Sequence, residues 1–171
     1  MTAEAGFPRG VKLGVDVGLA RVGVAACDPD GMLATPLKTL RRDEKKGSDL
    51  RALAFLAAER DAVQVFVGLP RSLGGGDTES TRMARAYAEA LAVELRTAGS
   101  GAAVRLIDER LTTVSAHRAL REAGLDGRRH RQVVDQVAAA DILQQALDMQ
   151  KSLQRDVGIP VDDGLRPHDG R

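Results

Sequence analysis

The chain has 171 residues, enough for one domain with a full hydrophobic core, and 43% of them are hydrophobic although only 2% are aromatic and Trp is absent. Stacking of bases on rings is thereby excluded as a general binding mode, and a formal net charge of +1 excludes a partner drawn by a global field. The one cysteine, Cys27, excludes an internal disulfide or a zinc site built from cysteines. With no apolar run of about 18 residues and no signal-peptide pattern, the expectation is a soluble, cytoplasmic protein with no membrane partner.

Residues 1–10 read as a disordered leader and 11–150 as the folded domain. Val11 to Val17 and Arg21 to Cys27 are β-branched, apolar runs flanking a tight turn at Gly18, the pattern of a hairpin. Asp28-Pro29-Asp30-Gly31 is a turn signal leading to a third strand near 32–40, which Pro36 places at a sheet edge. A helix near 48–59 keeps Leu50, Leu53, Ala54 and Ala57 on one face, with Ser48 as its N-cap. Val63 to Gly68 reads as a buried strand, and Leu69 to Gly76 as a Gly-rich loop. Asp77 or Thr78 caps a helix near 78–97, and Ala103 to Ile107 forms the last strand.

Thr112 or Thr113 caps a further helix to about Ala123, and Gly124 to Arg131 is a polar, basic loop. A final helix spans about 132–150, and 151–171 reads as a disordered tail. Three antiparallel strands followed by crossover units predict an α/β fold: a mixed, five-stranded sheet of ribonuclease H-like element order, with helices on both faces.

The chemistry is carried by acids. Asp16 interrupts a strand that helices should cover, where a charge is costly to desolvate unless something compensates it; a cation such as Lys12 or Arg21 could do so, and so could a metal ion. Asp108 and Glu109 follow the last strand, where open sheets hold their active sites. Asp135 stands one turn before Ala138 and Ala139, on the stripe they form with Ile142, Ala146 and Met149, and so points inward. Three acids about 5 Å apart repel by roughly 10 kcal/mol in total at an effective dielectric near 20. Net stability of about 5 to 15 kcal/mol would not sustain that uncompensated. All-oxygen ligation selects Mg²⁺ or Mn²⁺, and two such ions suit phosphodiester hydrolysis. The Gly68 to Thr78 loop lacks the Lys-Ser/Thr of a Walker loop, yet its amides and Arg71 could hold a backbone phosphate, and Arg128, Arg129 and Arg131 form a basic cluster around His130.

Val15-Asp16-Val17-Gly18 with Arg21 to Ala25, Val67 to Pro70, Asp108 to Thr113, and Val134 to Ala140 with Ile142-Leu143 together resemble the YqgF (RuvX) family over about 11–147. The family often has Thr-Lys where this chain has Leu19-Ala20, and Ser where it has Gln136. The resemblance implies a two-metal-ion nuclease of ribonuclease H-like fold, acting in pre-16S ribosomal RNA processing, or on Holliday junctions. It places the metal-binding, catalytic acids at Asp16, Glu109 and Asp135, with Asp108 as an additional candidate. Arg21, Arg71, Arg110, Arg128, Arg129 and Arg131 are the candidates for contact with the nucleic acid. Expected partners are RNA or branched DNA, with a homodimer as an option. Actin-like sugar kinases also open on an Asp-x-Gly hairpin but need two such domains, which this length excludes. A non-catalytic RNA-binding module in ribosome assembly is the remaining alternative.

Overall fold

A computed structural model describes residues 6–111 and 128–161, with side chains for 6–110 and 133–161. The hairpin forms as β1 (Lys12–Val17) and β2 (Arg21–Cys27), and the turn between them is closed by the Gly18 amide donating to the Arg21 carbonyl at 2.8 Å. After β3 (Ala34–Arg41) come α1 (Ser48–Glu59), β4 (Gln64–Leu69), α2 (Glu79–Thr97) and β5 (Ala103–Asp108), then a single 3₁₀ turn (Glu109–Leu111). A long helix, α3 (Arg128–Leu153), and a short β6 (Ile159–Pro160) complete the described chain. The sheet order is β3-β2-β1-β4-β5-β6. β1 is antiparallel to β2 and parallel to β4, and β5 is parallel to β4. β3 takes the expected edge, with Pro36 opposite Ala25 beside a bulge between Val24 and Ala25. Among the described residues no helix is long and apolar enough to cross a membrane.

The sheet has six strands and not the expected five. β6 lies in the stretch read as a disordered tail and pairs antiparallel with Arg105 and Leu106. Its anchor is polar: Gln64 and Gln150 both donate to the Asp156 carboxylate at 2.9 Å, and Arg105 Nε donates to the Val157 carbonyl. Apolar periodicity carries no trace of such an anchor. The end of the expected leader is likewise engaged, because the Asp156 amide donates to the Gly6 carbonyl at 2.9 Å.

Helix boundaries shift for local reasons. Gly47, in the left-handed region at φ 68, precedes α1, so Ser48 is its first helical residue and not its cap; the Ser48 hydroxyl donates to Asp43 at 2.6 Å. Thr78 caps α2 through a reciprocal box with Thr81, while Asp77 pairs with Arg85 at 2.9 Å. α3 begins four residues earlier than expected, so the backbone of Arg128, Arg129 and Arg131 is helical. The helix read at 112–123 and the loop residues 124–127 lie outside the described residues.

The two faces of the sheet are packed differently. Leu13, Val15, Val17, Val22, Val24, Val65, Val67 and Leu106 point to α1 and α2, where they meet Leu53, Leu91 and Leu95. The alternate positions face α3, where Ala25, Phe66 and Ile107 meet Ala138, Ala139, Ile142, Leu143 and Ala146. On this second face the strands carry Gly14 and Gly23 under the helix. A Cβ at Gly14 would stand 2.5 Å from the Ala139 carbonyl oxygen, and one at Gly23 would overlap the Asp135 carbonyl. The missing side chains let the helix backbone rest directly on the sheet.

Candidate active site

The acid in β1 sits on the α3 face, because Val15 and Val17 occupy the other. Asp16 is 1% exposed and pairs across the hairpin with Gly23. On its other side the β1–β4 register runs to Val15 with Val67, so the next step sets Asp16 beside Gly68. One row across three strands therefore reads glycine, aspartate, glycine, all on one face. Opposed Cβ atoms in such a row are about 5 Å apart. The two glycines leave space above the sheet, and two further acids come into it.

Glu109 is 3% exposed and lies over Gly68, where a Cβ would come within 2.6 Å of its Oε1. Asp135, also 3% exposed, lies over Gly23 on the first turns of α3. The inward placement read from the stripe of Ala138, Ala139 and Ile142 is what the helix shows. The structure thus brings Asp16, Glu109 and Asp135 to one end of one face of the sheet.

A guanidinium reaches the same place. Arg21, the first residue of β2, donates its Nε to Asp135 Oδ2 at 2.8 Å, with the arginine side chain 28% exposed and the carboxylate 4%. Of the two cations weighed as partners for Asp16, Arg21 contacts Asp135, and Lys12 lies at the far end of β1, donating to Gln150 Oε1 at 2.8 Å. Among the described residues no three of His, Cys, Asp and Glu are drawn tightly enough to hold a metal ion. The donor set still suits a hard divalent cation: three buried carboxylates, with no cysteine or histidine beside them among the described side chains.

Asp108 is placed apart from the three. Its register partner is Leu69, which points to α1 and α2, so Asp108 leaves the sheet on the opposite face from Asp16. Arg110 clamps it, with Nη2 at 2.6 Å and Nε at 3.1 Å, and this hydrogen bonding holds the Asp108 carboxyl below the usual carboxylate range. Arg110 also packs against Gly75, so it ties the 3₁₀ turn to the Gly-rich loop. That loop is built from turns: the Gly75 amide donates to the Ser72 carbonyl at 2.8 Å, and the Ser72 amide to the Gly76 carbonyl at 3.1 Å. The half-buried Arg71 has its Nε buried with no hydrogen-bond partner among the described residues; the Asp77 carboxyl, held low mainly by its hydrogen bond from Arg85, and the Asp108 carboxyl, held low mainly by Arg110, are each lowered further by its charge. The side chains of Arg128, Arg129 and Arg131, with His130, lie outside the described side chains.

Reading the sequence for charges found the acids but missed Gly23 and Gly68, without which neither Glu109 nor Asp135 could approach Asp16. The available signal was glycine at strand positions of one parity, which marks close approach by another backbone.

A mixed sheet in this order, with buried carboxylates where β1 and β5 end against the long helix α3, defines a ribonuclease H-like fold. The chain belongs to the RuvX family, whose model, described as "RuvX: Holliday junction resolvase", matches residues 10–149. A Mycobacterium tuberculosis relative is 55% identical over 140 residues, covering 82% of this chain and 79% of its own. One from Leifsonia xyli is 48% identical over 158 residues, covering 92% and 98%. A third, from Mycobacterium ulcerans, is 51% identical over 150 residues, covering 88% and 85%. All three carry the provisional name pre-16S rRNA nuclease. Thermus thermophilus RuvC, solved in complex with a Holliday junction substrate, superposes with a TM-score of 0.53 at 13% identity, over 88% of this chain and 99% of that one, which shows the shared fold.

Proposed function

We propose that this protein is a metal-dependent endonuclease that hydrolyses phosphodiester bonds in structured nucleic acid, and that its substrate is precursor 16S ribosomal RNA in the cytoplasm. The observation that carries the reading is the gathering of Asp16, Glu109 and Asp135, each at most 3% exposed, over the glycine-cleared row of one sheet face. These three side chains would hold two Mg²⁺ or Mn²⁺ ions, whose chemistry is to activate a water and to neutralise charge on the leaving oxygen. The names of the three relatives support the ribosomal substrate. The family description supports a second reading, a four-way DNA junction as substrate.

The chain's own groups then take distinct parts. Asp16 is fixed by its strand, and Glu109 by the turn that follows β5, so neither needs to reorganise to present oxygen ligands. Arg21 holds Asp135 in place and offsets part of the repulsion among the acids; it is also positioned to meet a phosphate at the site's edge. Arg71 and the Gly-rich loop offer a guanidinium and backbone amides to a neighbouring phosphate. Arg128, Arg129 and Arg131, at the start of α3, are assigned to the same nucleic-acid contact on their charge alone.

Precursor 16S RNA and a four-way DNA junction are incubated side by side with Mn²⁺, using Asp16→Asn as the control. Cleavage of the RNA by the wild type alone supports the main reading, and cleavage of the junction instead supports the second. If Asp16→Asn cleaves at the wild-type rate, the site assignment is wrong. If the wild type cleaves neither, a non-catalytic RNA-binding role is the better account.

A further inference from the structure

At the opposite end of β1 lies a second buried charge that the acidic site does not use. Lys12 is 2% exposed, on the same sheet face as Asp16 but four residues earlier, about 13 Å along the strand. An ammonium has three N–H groups and loses several kcal/mol of hydration on burial unless they are met. Among the described residues, the Lys12 ammonium meets Gln150 Oε1 at 2.8 Å and the face of the Phe7 ring, 5.0 Å from its centroid. Asp156, whose charge acts on Lys12, is committed to other partners: it accepts from Gln150 and Gln64 at 2.9 Å and faces Arg105 at 3.5 Å.

The ammonium borders a cavity of about 230 Å³, lined by Phe7, Arg9, Lys12, Gly31, Gln150 and Lys151 among others. Three cationic side chains line it from two segments, Arg9 and Lys12 from the start of β1 and its approach and Lys151 from the end of α3, against one carboxylate in its lining, Asp30. Its volume is below the roughly 300 to 1,000 Å³ of pockets that take drug-sized molecules, so it suits a ligand of a few heavy atoms. Several converging donors and a surplus of positive charge select a multiply charged oxyanion.

We propose that this cavity is a binding site for a phosphate-class oxyanion, with Lys12 as its buried anchor and Arg9 and Lys151 closing over it. Inorganic phosphate and the terminal phosphate of a short oligonucleotide share this chemistry. Burial holds the Lys12 amine below its usual pKa, and an anion beside it would restore the charged form. Occupancy would also tie together the Phe7 segment, the turn at Gly31 and the end of α3, which all line the cavity.

The test is calorimetric titration of the full-length, metal-free protein with sodium phosphate at constant ionic strength. Saturable, one-site binding is expected, weakened about ten- to a hundred-fold in Lys12→Met, the effect of one charge-assisted hydrogen bond, and unchanged in Asp16→Asn. Unsaturable heats, or wild-type affinity in Lys12→Met, would overturn the site. If Lys12→Met does not fold, Arg9→Ala/Lys151→Ala takes its place, and undiminished affinity there would overturn it equally. Titration with a 5′-phosphorylated dinucleotide identifies the source: binding tighter than that of inorganic phosphate assigns an oligonucleotide end, and weaker binding assigns the free ion.

Discussion

The two faces of the sheet bury similar lengths of strand by opposite means. Toward α1 and α2, volume does the work: Leu13, Val15, Val24 and Val67 interdigitate with Leu53, Leu91 and Leu95, all at most 1% exposed. Toward α3 the hairpin strands β1 and β2 thin to glycine and alanine at Gly14, Gly23 and Ala25, and the helix backbone comes down onto Gly14 and Gly23. A face packed with side chains tolerates the loss of a methyl group by leaving a void. A face packed by backbone has no such slack, but it can carry carboxylates close together because nothing bulky separates them. The acids sit on the second face, and Lys12 sits on it too, at the other end.

The sharpest way to break this contrast is to add one methyl group on one face and remove several on the other. Gly23→Ala sets a Cβ against the Asp135 carbonyl, a backbone atom that cannot swing aside, so α3 must lift from the sheet. We expect a loss of about 3 kcal/mol or more in urea unfolding, together with loss of cleavage. Leu91→Ala, on the other face, should cost about 3 kcal/mol through its cavity and leave the turnover of the folded fraction near wild type. Gly68→Ala separates stability from activity, because its Cβ meets the ends of two side chains, Ile142 and Glu109. It should cost less stability than Gly23→Ala yet displace Glu109 and abolish cleavage. If Gly23→Ala proves as stable as wild type, the close approach of α3 is wrong.

Much of this was legible in the residues, and what was not has specific causes. Continuous apolar, β-branched runs located β1, β2 and β4, because helices cover both faces of these strands, and the 3.6-residue stripe on α3 placed Asp135 inward, because that helix buries one face. β6 was illegible because two residues, Ile159 and Pro160, show no period, and the segment is anchored upstream of them, where Gln64 and Gln150 donate to the Asp156 carboxylate. Asp108 and Glu109 could not be separated by spacing, since adjacent residues at a strand end leave on opposite faces. Only the register of Asp108 with Leu69 tells which face each takes.

Next in size is the response to cations. If the three acids hold divalent metal, Mn²⁺ at roughly 100 times its dissociation constant should raise the unfolding free energy by about 2.7 kcal/mol, and the rise should vanish in Asp16→Asn/Asp135→Asn. Melts that do not shift with millimolar Mn²⁺, alone or with an uncleavable oligonucleotide, would remove the metal from the site. Among the described residues, Arg21 is a cation that Asp135 contacts. Arg21→Ala should then cost about 1 to 2 kcal/mol, below the loss from a fully buried pair because the arginine is 28% exposed. Adding Asp135→Asn to it should recover most of that loss, and simple additivity in the double-mutant cycle would show that the pair contributes nothing.

The smallest effect sharpens the comparison at a single peptide bond. Asp108 and Glu109 are neighbours, yet Asp108 faces away from the glycine row and is clamped by Arg110 at 2.6 Å, whereas Glu109 lies over Gly68. Glu109→Gln should abolish cleavage. Asp108→Asn should keep it within a few-fold and cost at most about 1 kcal/mol, the range of a surface ion pair. The sign of its pH dependence follows from the depressed carboxyl. Its contribution is complete above the usual carboxylate pKa of about 4 and is lost as the pH falls through the lower, folded-state value. The stability gap between wild type and Asp108→Asn should therefore be constant from pH 8 to about 5 and close in more acidic solution. A gap that widens on acidification, or an Asp108→Asn variant that is inactive while Glu109→Gln still cuts, would exchange the roles of the two acids and with them the face of the sheet on which the chemistry runs.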